Sequence, residues 1–413
     1  RAETLFEKVI EQMPRHFSSI FLLGTLSAQI KNYKRAKILL KKAITINPNY
    51  AEAQNNLGNV YQELNHFKEA ILHYKAAIKI NPQYVEAHYN LGKTLQNLGK
   101  NNDAIISYSN VIKINPRYTK AHNNLGNIYK NIKKFNEAIS FYKKAININP
   151  RYAEAHYNLA NVLRELDKNY EALSSYQTAI KINPNYAEAL NNLGNVYQDL
   201  DQNQEAINFY QKAIQANPND FKAYNNLGKV FNKQNLHQEA NNCYQEAIKI
   251  DPNNLTSHWL LMNNFPIIYK SSNEINLYSK KFEEGILKIN NLLDSHSEYS
   301  YKQIINALTS SSNFYLPYQR RDITALQKKY ALLVERLTKL IYSQFHKKTK
   351  KNKFSKNIKI GFVSSFFKNH SVSKTHINWI LKIKENIYET YVYYCGKKFD
   401  YITNHLKKHV DYF

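Results

Sequence analysis

Proline stands at positions 14, 48, 82, 116, 150, 184, 218 and 252, each one 34 residues after the last. A period of that length marks one small helical or strand-containing unit copied along the chain, and a single copy cannot bury its apolar face alone. Residues 1–252 are therefore constrained to a stack in which each copy is stabilised by its neighbours. The phased unit reads "AEAQNNLGNVYQELNHFKEAILHYKAAIKINP", Ala51 to Pro82. Apolar residues recur in it at helical spacing in two runs, each about three turns long. Gly58, Ala70 and Ala77 are small where paired helices come close. Pro82 closes the second helix, because it lacks the N–H the ladder needs and drives the preceding residue out of helical backbone.

Leu57, Gly58, Tyr61, Ala70, Tyr74, Ala77 and Pro82 occupy the signature positions of the tetratricopeptide repeat, and residues 1–252 resemble that family. The resemblance implies a mostly α fold, a right-handed solenoid with a long concave groove lined by the first helix of each unit. The opening residues "RAETLFEKVIEQMP" run in phase with "EAILHYKAAIKINP". The sequence is thus expected to begin inside a repeat, on a second helix.

Immediately before the phased Leu-Gly (Leu-Ala in one unit) stand Asn56, Asn90, Asn124, Asn158, Asn192 and Asn226. Each amide can both donate and accept. A row of them on one face suits the backbone of an extended peptide, held without regard to its side chains. An asparagine-rich composition is the plainer explanation. Recurrence in six consecutive units favours binding, because the flanking equivalents are Leu22 and Leu260.

Composition narrows the class. Hydrophobic residues make up 43% and charged residues 22% of the 413, ordinary values for a soluble globular protein. No stretch approaches the run of about 18 apolar residues that spans a bilayer, and no signal-peptide pattern opens the chain. Cys243 and Cys395 match no metal or redox spacing. The expected setting is reducing and cytoplasmic, with no membrane partner. The net charge of +25 raises nucleic-acid binding. Lysine is abundant here together with Asn, Ile and Tyr, a bias that AT-rich codons produce without a binding purpose, so no nucleic-acid partner is expected. The densest run, "KKTKKNKFSK" at 347–356, reads as a solvated linker.

After Pro252 the period dissolves. Met262 replaces the glycine and Pro266 interrupts the next helix. Residues 253–346 read as a helical transition, with amphipathic helices in "NEINLYSKKFEEGILKI" and "DITALQKKYALLVERLTKLIYSQF", the latter with Asp322 as N-cap, and a loop at "TSSSNFYLPYQRRD". Residues 357–413 change character. "NIKIGFVSSF" is a continuous apolar strand, "SKTHINWILKIKEN" an amphipathic helix, "YETYVYYCG" a second strand and "DYITNHLKKHVDYF" a second helix. That succession opens a doubly wound α/β domain, whose ligands bind beyond the carboxyl ends of the strands.

Gly361, Phe362, Val363, Ser364, His370 and Ser373 in "IKIGFVSSFFKNHSVS" are similar to the first βα unit of the protein O-GlcNAc transferase and SPINDLY group, glycosyltransferase family 41. "NFYLPYQRRD" looks like the segment before the catalytic domain in bacterial relatives, and the amide row resembles the asparagine ladder that holds acceptor polypeptide in those transferases. The resemblance implies a GT-B-type α/β domain of which only the first β-α-β-α units are present. It also implies inverting, metal-independent transfer of a sugar to Ser or Thr of proteins, with no cofactor. The donor it points to is UDP-GlcNAc, with other UDP-sugars and GDP-sugars left open. His370 would be the catalytic, acceptor-side histidine; the nucleotide-sugar site lies in a second domain not seen in this sequence. Residues 1–413 by themselves are expected to be inactive. The alternative is a non-catalytic repeat scaffold for protein–protein interaction. Oligomeric state stays open.

Overall fold

The computed structural model describes residues 2–266, 269–295, 298–311, 322–341, 358–364 and 388–394, with 404 and 407–408. The chain divides into two compact units, Arg1–Leu333 and Val334–Phe413.

The first unit is an α-solenoid of stacked helix pairs. Its first helices are α2 (Phe17–Gln29), α4 (Ala51–Glu63), α6 (Val85–Asn97), α8 (Thr119–Asn131), α10 (Ala153–Glu165), α12 (Ala187–Asp199), α14 (Phe221–Lys233) and α16 (Leu255–Met262). The second helices are α1 (Ala2–Gln12), α3 (Tyr33–Ile46), α5 (Phe67–Ile80), α7 (Asn101–Ile114), α9 (Phe135–Ile148), α11 (Asn169–Ile182), α13 (Asn203–Ala216) and α15 (His237–Ile250). Successive first helices approach one another more closely than successive second helices, so the stack curves with the first helices on its inner side.

Each boundary has a local cause. Between the paired helices the chain passes through left-handed backbone at Lys31, Asn65, Gly99, Lys133, Asp167, Asp201 and Asn235, with φ between 59° and 70°. In the second repeat His66 N donates to Tyr61 O at 2.8 Å and Asn65 N to Gln62 O at 3.0 Å, a Schellman closure that satisfies two carbonyls at the helix end. Between repeats, the residue before proline turns to extended backbone, as Asn81 does, and its Oδ1 accepts from Gln83 N at 3.0 Å. Histidines at one position of the first helix reach back to the same turn. The ring Nε2 of His88, His122, His156 and His258 bonds the carbonyl of Pro82, Pro116, Pro150 and Pro252 at 2.9 to 3.1 Å.

Packing within a repeat centres on one tyrosine. Tyr74, Tyr108, Tyr142, Tyr176, Tyr210 and Tyr244 are fully buried. Five of them lie flat against the signature glycine of the first helix, where an added Cβ would come within 2.5 to 2.9 Å of the ring. In the fifth repeat Ala160 takes the glycine's place and is itself fully buried beside Tyr176. Small residue and aromatic ring are chosen together.

Beyond the repeats, α17 (Ser272–Ser295) covers the end of the stack, with Gly285 against Met262. Trp259, Phe265, Phe282 and Tyr330 form one aromatic cluster with ring centroids 5.2 to 5.6 Å apart. It packs α16 and α17 against α19 (Thr324–Ile341). Asp322 accepts from Thr324 N at 2.8 Å at the start of α19. A helix not anticipated from the sequence, α18 (Tyr301–Ser310), is tied to α16 by Trp259 Nε1 donating to Ser311 O at 3.1 Å. Among the described residues no helix is long and apolar enough to cross a membrane.

In the second unit, β1 (Ile358–Ser364) and β2 (Tyr388–Tyr394) pair in parallel, from Ile358↔Tyr388 to Ser364↔Tyr394. The lysine-rich segment at 347–356, His370 and Ser373 lie outside the described residues.

Candidate functional site

The six asparagines do fall on the first helices, and the structure gives their recurrence a reason that periodicity alone does not. Each amide reaches the neighbouring repeat on its N-terminal side. Asn90 Nδ2 donates to Asn55 Oδ1 at 3.0 Å, and Asn124 Nδ2 to the Tyr89 hydroxyl at 3.3 Å. Asn158 donates to Asn123 Oδ1 at 3.0 Å, Asn192 to the Tyr157 hydroxyl at 3.2 Å, and Asn226 to Asn191 Oδ1 at 3.1 Å. In these five the partner is 35 residues back, and it alternates between asparagine and tyrosine throughout. Additional bonds run 31 residues back, from Asn90 to Asn59 at 3.0 Å and from Asn192 to Asn161 at 2.9 Å. Asn56, first in the row, donates to Thr25 Oγ1 at 3.2 Å. The row is a hydrogen-bonded seam joining consecutive first helices.

This seam divides the work of each amide. Asn90, Asn124 and Asn192 each make two donor contacts within the protein, the second from Asn124 reaching the Tyr108 hydroxyl at 3.1 Å. Asn56, Asn158 and Asn226 make one each and keep one amide hydrogen. The acceptor side is freer. Among the described residues the Oδ1 atoms of Asn90, Asn124, Asn158 and Asn226 accept from nothing, whereas Asn56 Oδ1 accepts from Asn55 and Asn192 Oδ1 from Asn195. All six are half-buried except Asn158, which is 8% exposed. The expectation of six amides equally free to donate and accept is corrected on the donor side: most N–H groups are already bonded across the seam.

The row faces an open concavity. Asn192 and Asn226 line a cavity of about 630 Å³ on the inner side of α12 and α14, and α18 forms its opposite wall through Gln303, Asn306 and Thr309. The sequence carries a local signal for the start of α18. Ser300 and Gln303 form a capping box, Gln303 N donating to Ser300 Oγ at 3.4 Å and Ser300 N to Gln303 Oε1 at 2.8 Å.

Other candidates lose their chemistry on inspection. Cys243 is buried, and burial pushes its thiol up to about 12, so it is no nucleophile near neutral pH. Cys395 lies outside the described residues. Tyr89 and Tyr157 are raised above the ordinary phenol range, chiefly by burial, and act in the seam as neutral acceptors.

Family models described as tetratricopeptide repeat match residues 17–50, 39–71, 119–152, 151–219 and 187–253, and one described as TPR repeat matches 63–99 and 97–133. Together they run without a gap from 17 to 253. Among solved structures, the chain is similar to MamA, at 30% identity over 39% of this chain and 95% of that one, with a TM-score of 0.37. It is similar to YrrB, described as a TPR protein with an unusual peptide-binding site, at 21% identity over 45% and 95%, TM-score 0.38. A tetratricopeptide repeat protein of Parabacteroides merdae matches at 18% identity over 59% and 97%, TM-score 0.48. A search of curated proteins returns no match.

Proposed function

Over residues 17–253 the chain belongs to the tetratricopeptide repeat family, and we propose that these repeats form a protein-interaction scaffold that grips an extended polypeptide along the asparagine row. One observation carries the reading. The seam uses most of the amide N–H groups and leaves the carbonyl oxygens of Asn90, Asn124, Asn158 and Asn226 without a partner among the described residues, on the inner face. Those oxygens accept from peptide N–H groups whatever the side chains are. Asn56, Asn158 and Asn226, each with an amide hydrogen left, can also donate to a peptide carbonyl.

The test replaces Asn124, Asn158 and Asn192 together by Ala. Binding of unfolded polypeptide should weaken by at least about tenfold, about 1.4 kcal/mol. Stability should fall too, because five inter-repeat bonds go with them. At about 0.5 to 1.5 kcal/mol net per bond the loss is a few kcal/mol, spread over a solvated face. Added salt should not mimic the loss of binding, since the contacts are neutral. Unchanged affinity in the folded triple variant refutes the reading.

A finer reading makes the scaffold the acceptor-binding arm of a protein O-glycosyltransferase, with His370 beside the reacting hydroxyl. It is supported by the parallel pairing of β1 and β2, because parallel neighbours require a crossover such as the intervening residues 365–387 can supply. The codons after Phe413 decide it. A second α/β half of about 200 residues, with transfer from UDP-GlcNAc or GDP-fucose that His370→Ala abolishes, would carry the enzyme reading; an early stop codon leaves the scaffold.

A further inference from the structure

Two places break the repeat's own pattern. One is on the inner helices. Asn59, Asn127, Asn161 and Asn195 accept from the buried tyrosines of their repeats, whereas half-buried Lys229 stands at that position in α14 and leaves the Tyr244 hydroxyl without a partner among the described residues. The other is on the outer side of the stack, between α11 and α13, and it leaves a space rather than a bare hydroxyl.

Of the seven second helices α3 to α15, six end on isoleucine: Ile46, Ile80, Ile114, Ile148, Ile182 and Ile250. All six are half-buried. Only α13 ends on alanine, Ala216. In the second repeat the isoleucine, Ile80, packs on Ala51, Ala77 and Ala87. In its place the equivalent residues Ala213 and Ala223 have only the methyl of Ala216. A second exchange falls on the same spot. The first-helix position that carries His88, His122, His156 and His258, each bonded to the carbonyl of the turn proline, is Leu190 in α12. Leu190 has no group to reach the Pro184 carbonyl, which accepts from nothing among the described residues.

Both exchanges line one slot of about 350 Å³. Leu190 comes to it from the first helix, Ile180 and Pro184 from the end of α11 and just beyond, and Phe209 and Ala216 from α13. Exposed Lys212 lies over the Phe209 ring, 5.0 Å from its centroid, and among the described residues no carboxylate pairs with it. A local rule broken without compensation is expected where function intervenes.

The slot defines its occupant by what it lacks. Six sibling positions hold isoleucine, so a branched aliphatic body of that size fits. The Pro184 carbonyl wants an N–H donor and Lys212 an anion. An N–H beside an aliphatic side chain is what a peptide backbone presents, and a hydrocarbon acid has none. A net charge of +25 favours acidic partners and disfavours a second copy of this chain.

We propose that this slot docks an acidic segment of a partner protein. The segment supplies the missing isoleucine-sized side chain from outside, gives a backbone N–H to Pro184 O and sets a neighbouring Asp or Glu on Lys212. Apolar burial carries most of the affinity, and the exposed ion pair adds a smaller share. The slot opens between outer helices, so this docking does not depend on the groove reading above.

The test uses end-blocked peptides Gly-Ile-Glu-Gly, Gly-Ala-Glu-Gly and Gly-Ile-Gln-Gly, and isocaproate, titrated by saturation-transfer NMR. Each is added to the whole chain, to Ala216→Ile and to Lys212→Gln. The parent should bind the Ile-Glu peptide at least about tenfold tighter than the Ala-Glu peptide. It should bind it about two- to fivefold tighter than the Ile-Gln peptide. Ala216→Ile restores the sibling residue, so it should melt higher than the parent while losing at least about tenfold in affinity for the Ile-Glu peptide. Lys212→Gln should bind the Ile-Glu and Ile-Gln peptides alike. Equal binding of the Ile-Glu and Ala-Glu peptides to the parent, no binding of either, or undiminished binding to Ala216→Ile overturns the proposal. Isocaproate bound as tightly as the Ile-Glu peptide assigns the slot to a small acid and overturns the protein partner.

Discussion

Restoring the repeat's own pattern at Lys229 should stabilise the protein. In Lys229→Asn the new side chain takes the place that Asn195 holds beside Tyr210, 2.8 Å from the hydroxyl. Tyr244 would then gain the acceptor it lacks. A buried hydroxyl without a partner costs about 1 to 3 kcal/mol, and a bond once made contributes about 0.5 to 1.5 kcal/mol net. Removing a partly desolvated ammonium adds in the same direction. A gain of about 1 to 2 kcal/mol is expected. Repeat arrays unfold by neighbouring units, so urea titration by circular dichroism should be joined to hydrogen exchange, with slower exchange concentrated in α15. Tyr244→Phe supplies the cycle. It should be neutral or slightly stabilising in the parent and cost about 1 kcal/mol in Lys229→Asn, as Tyr142→Phe should cost by parting from Asn127. If Lys229→Asn is no more stable than the parent, or Tyr244→Phe costs the parent as much as Tyr142→Phe does, the reasoning fails.

Gly126→Ala places a Cβ within 2.5 Å of the Tyr142 ring. The overpacking, about 1 to 3 kcal/mol, should outweigh the roughly 1 kcal/mol gained in helix propensity, and a melting temperature above the parent's would contradict the packing account. Acidification should also weaken the fold through His73 and His258, both held below the usual histidine range chiefly by burial. Their neutral forms are favoured in the folded state, so below about pH 6.5 the unfolded chain binds more protons and stability falls as pH falls. Replacing both by Gln should flatten the dependence of melting temperature on pH between about 7.5 and 5.5, and an unchanged slope would show that other groups carry it.

The sequence announced the solenoid because its rules are local. Pro82 ends a helix wherever it stands, and Gly58 and Tyr74 recur at fixed offsets within one unit. The asparagine row was equally visible as a recurrence, but not its bonding. Whether Asn124 meets Tyr89 depends on how far each repeat is rotated on the last, which no single unit encodes. Lys229 is plain in the alignment of repeats, yet its cost appears only when Tyr244 is seen without a partner. The left-handed turns leave little trace in the sequence, because glycine fills one of the seven, Gly99, and side-chain-bearing residues fill the rest. The two strands follow from their apolar runs, while His370 lies outside the described residues.

The seam has a mechanical side. Its bonds run along the inner edge of the stack, while the outer helices of successive repeats stay farther apart. Amides 3.0 to 3.3 Å from their partners set a fixed stitch length on one edge and leave the other free to fan. A polypeptide that takes only the free carbonyl oxygens and the spare amide hydrogens leaves every stitch in place. The groove can then fill without the inner edge changing its length.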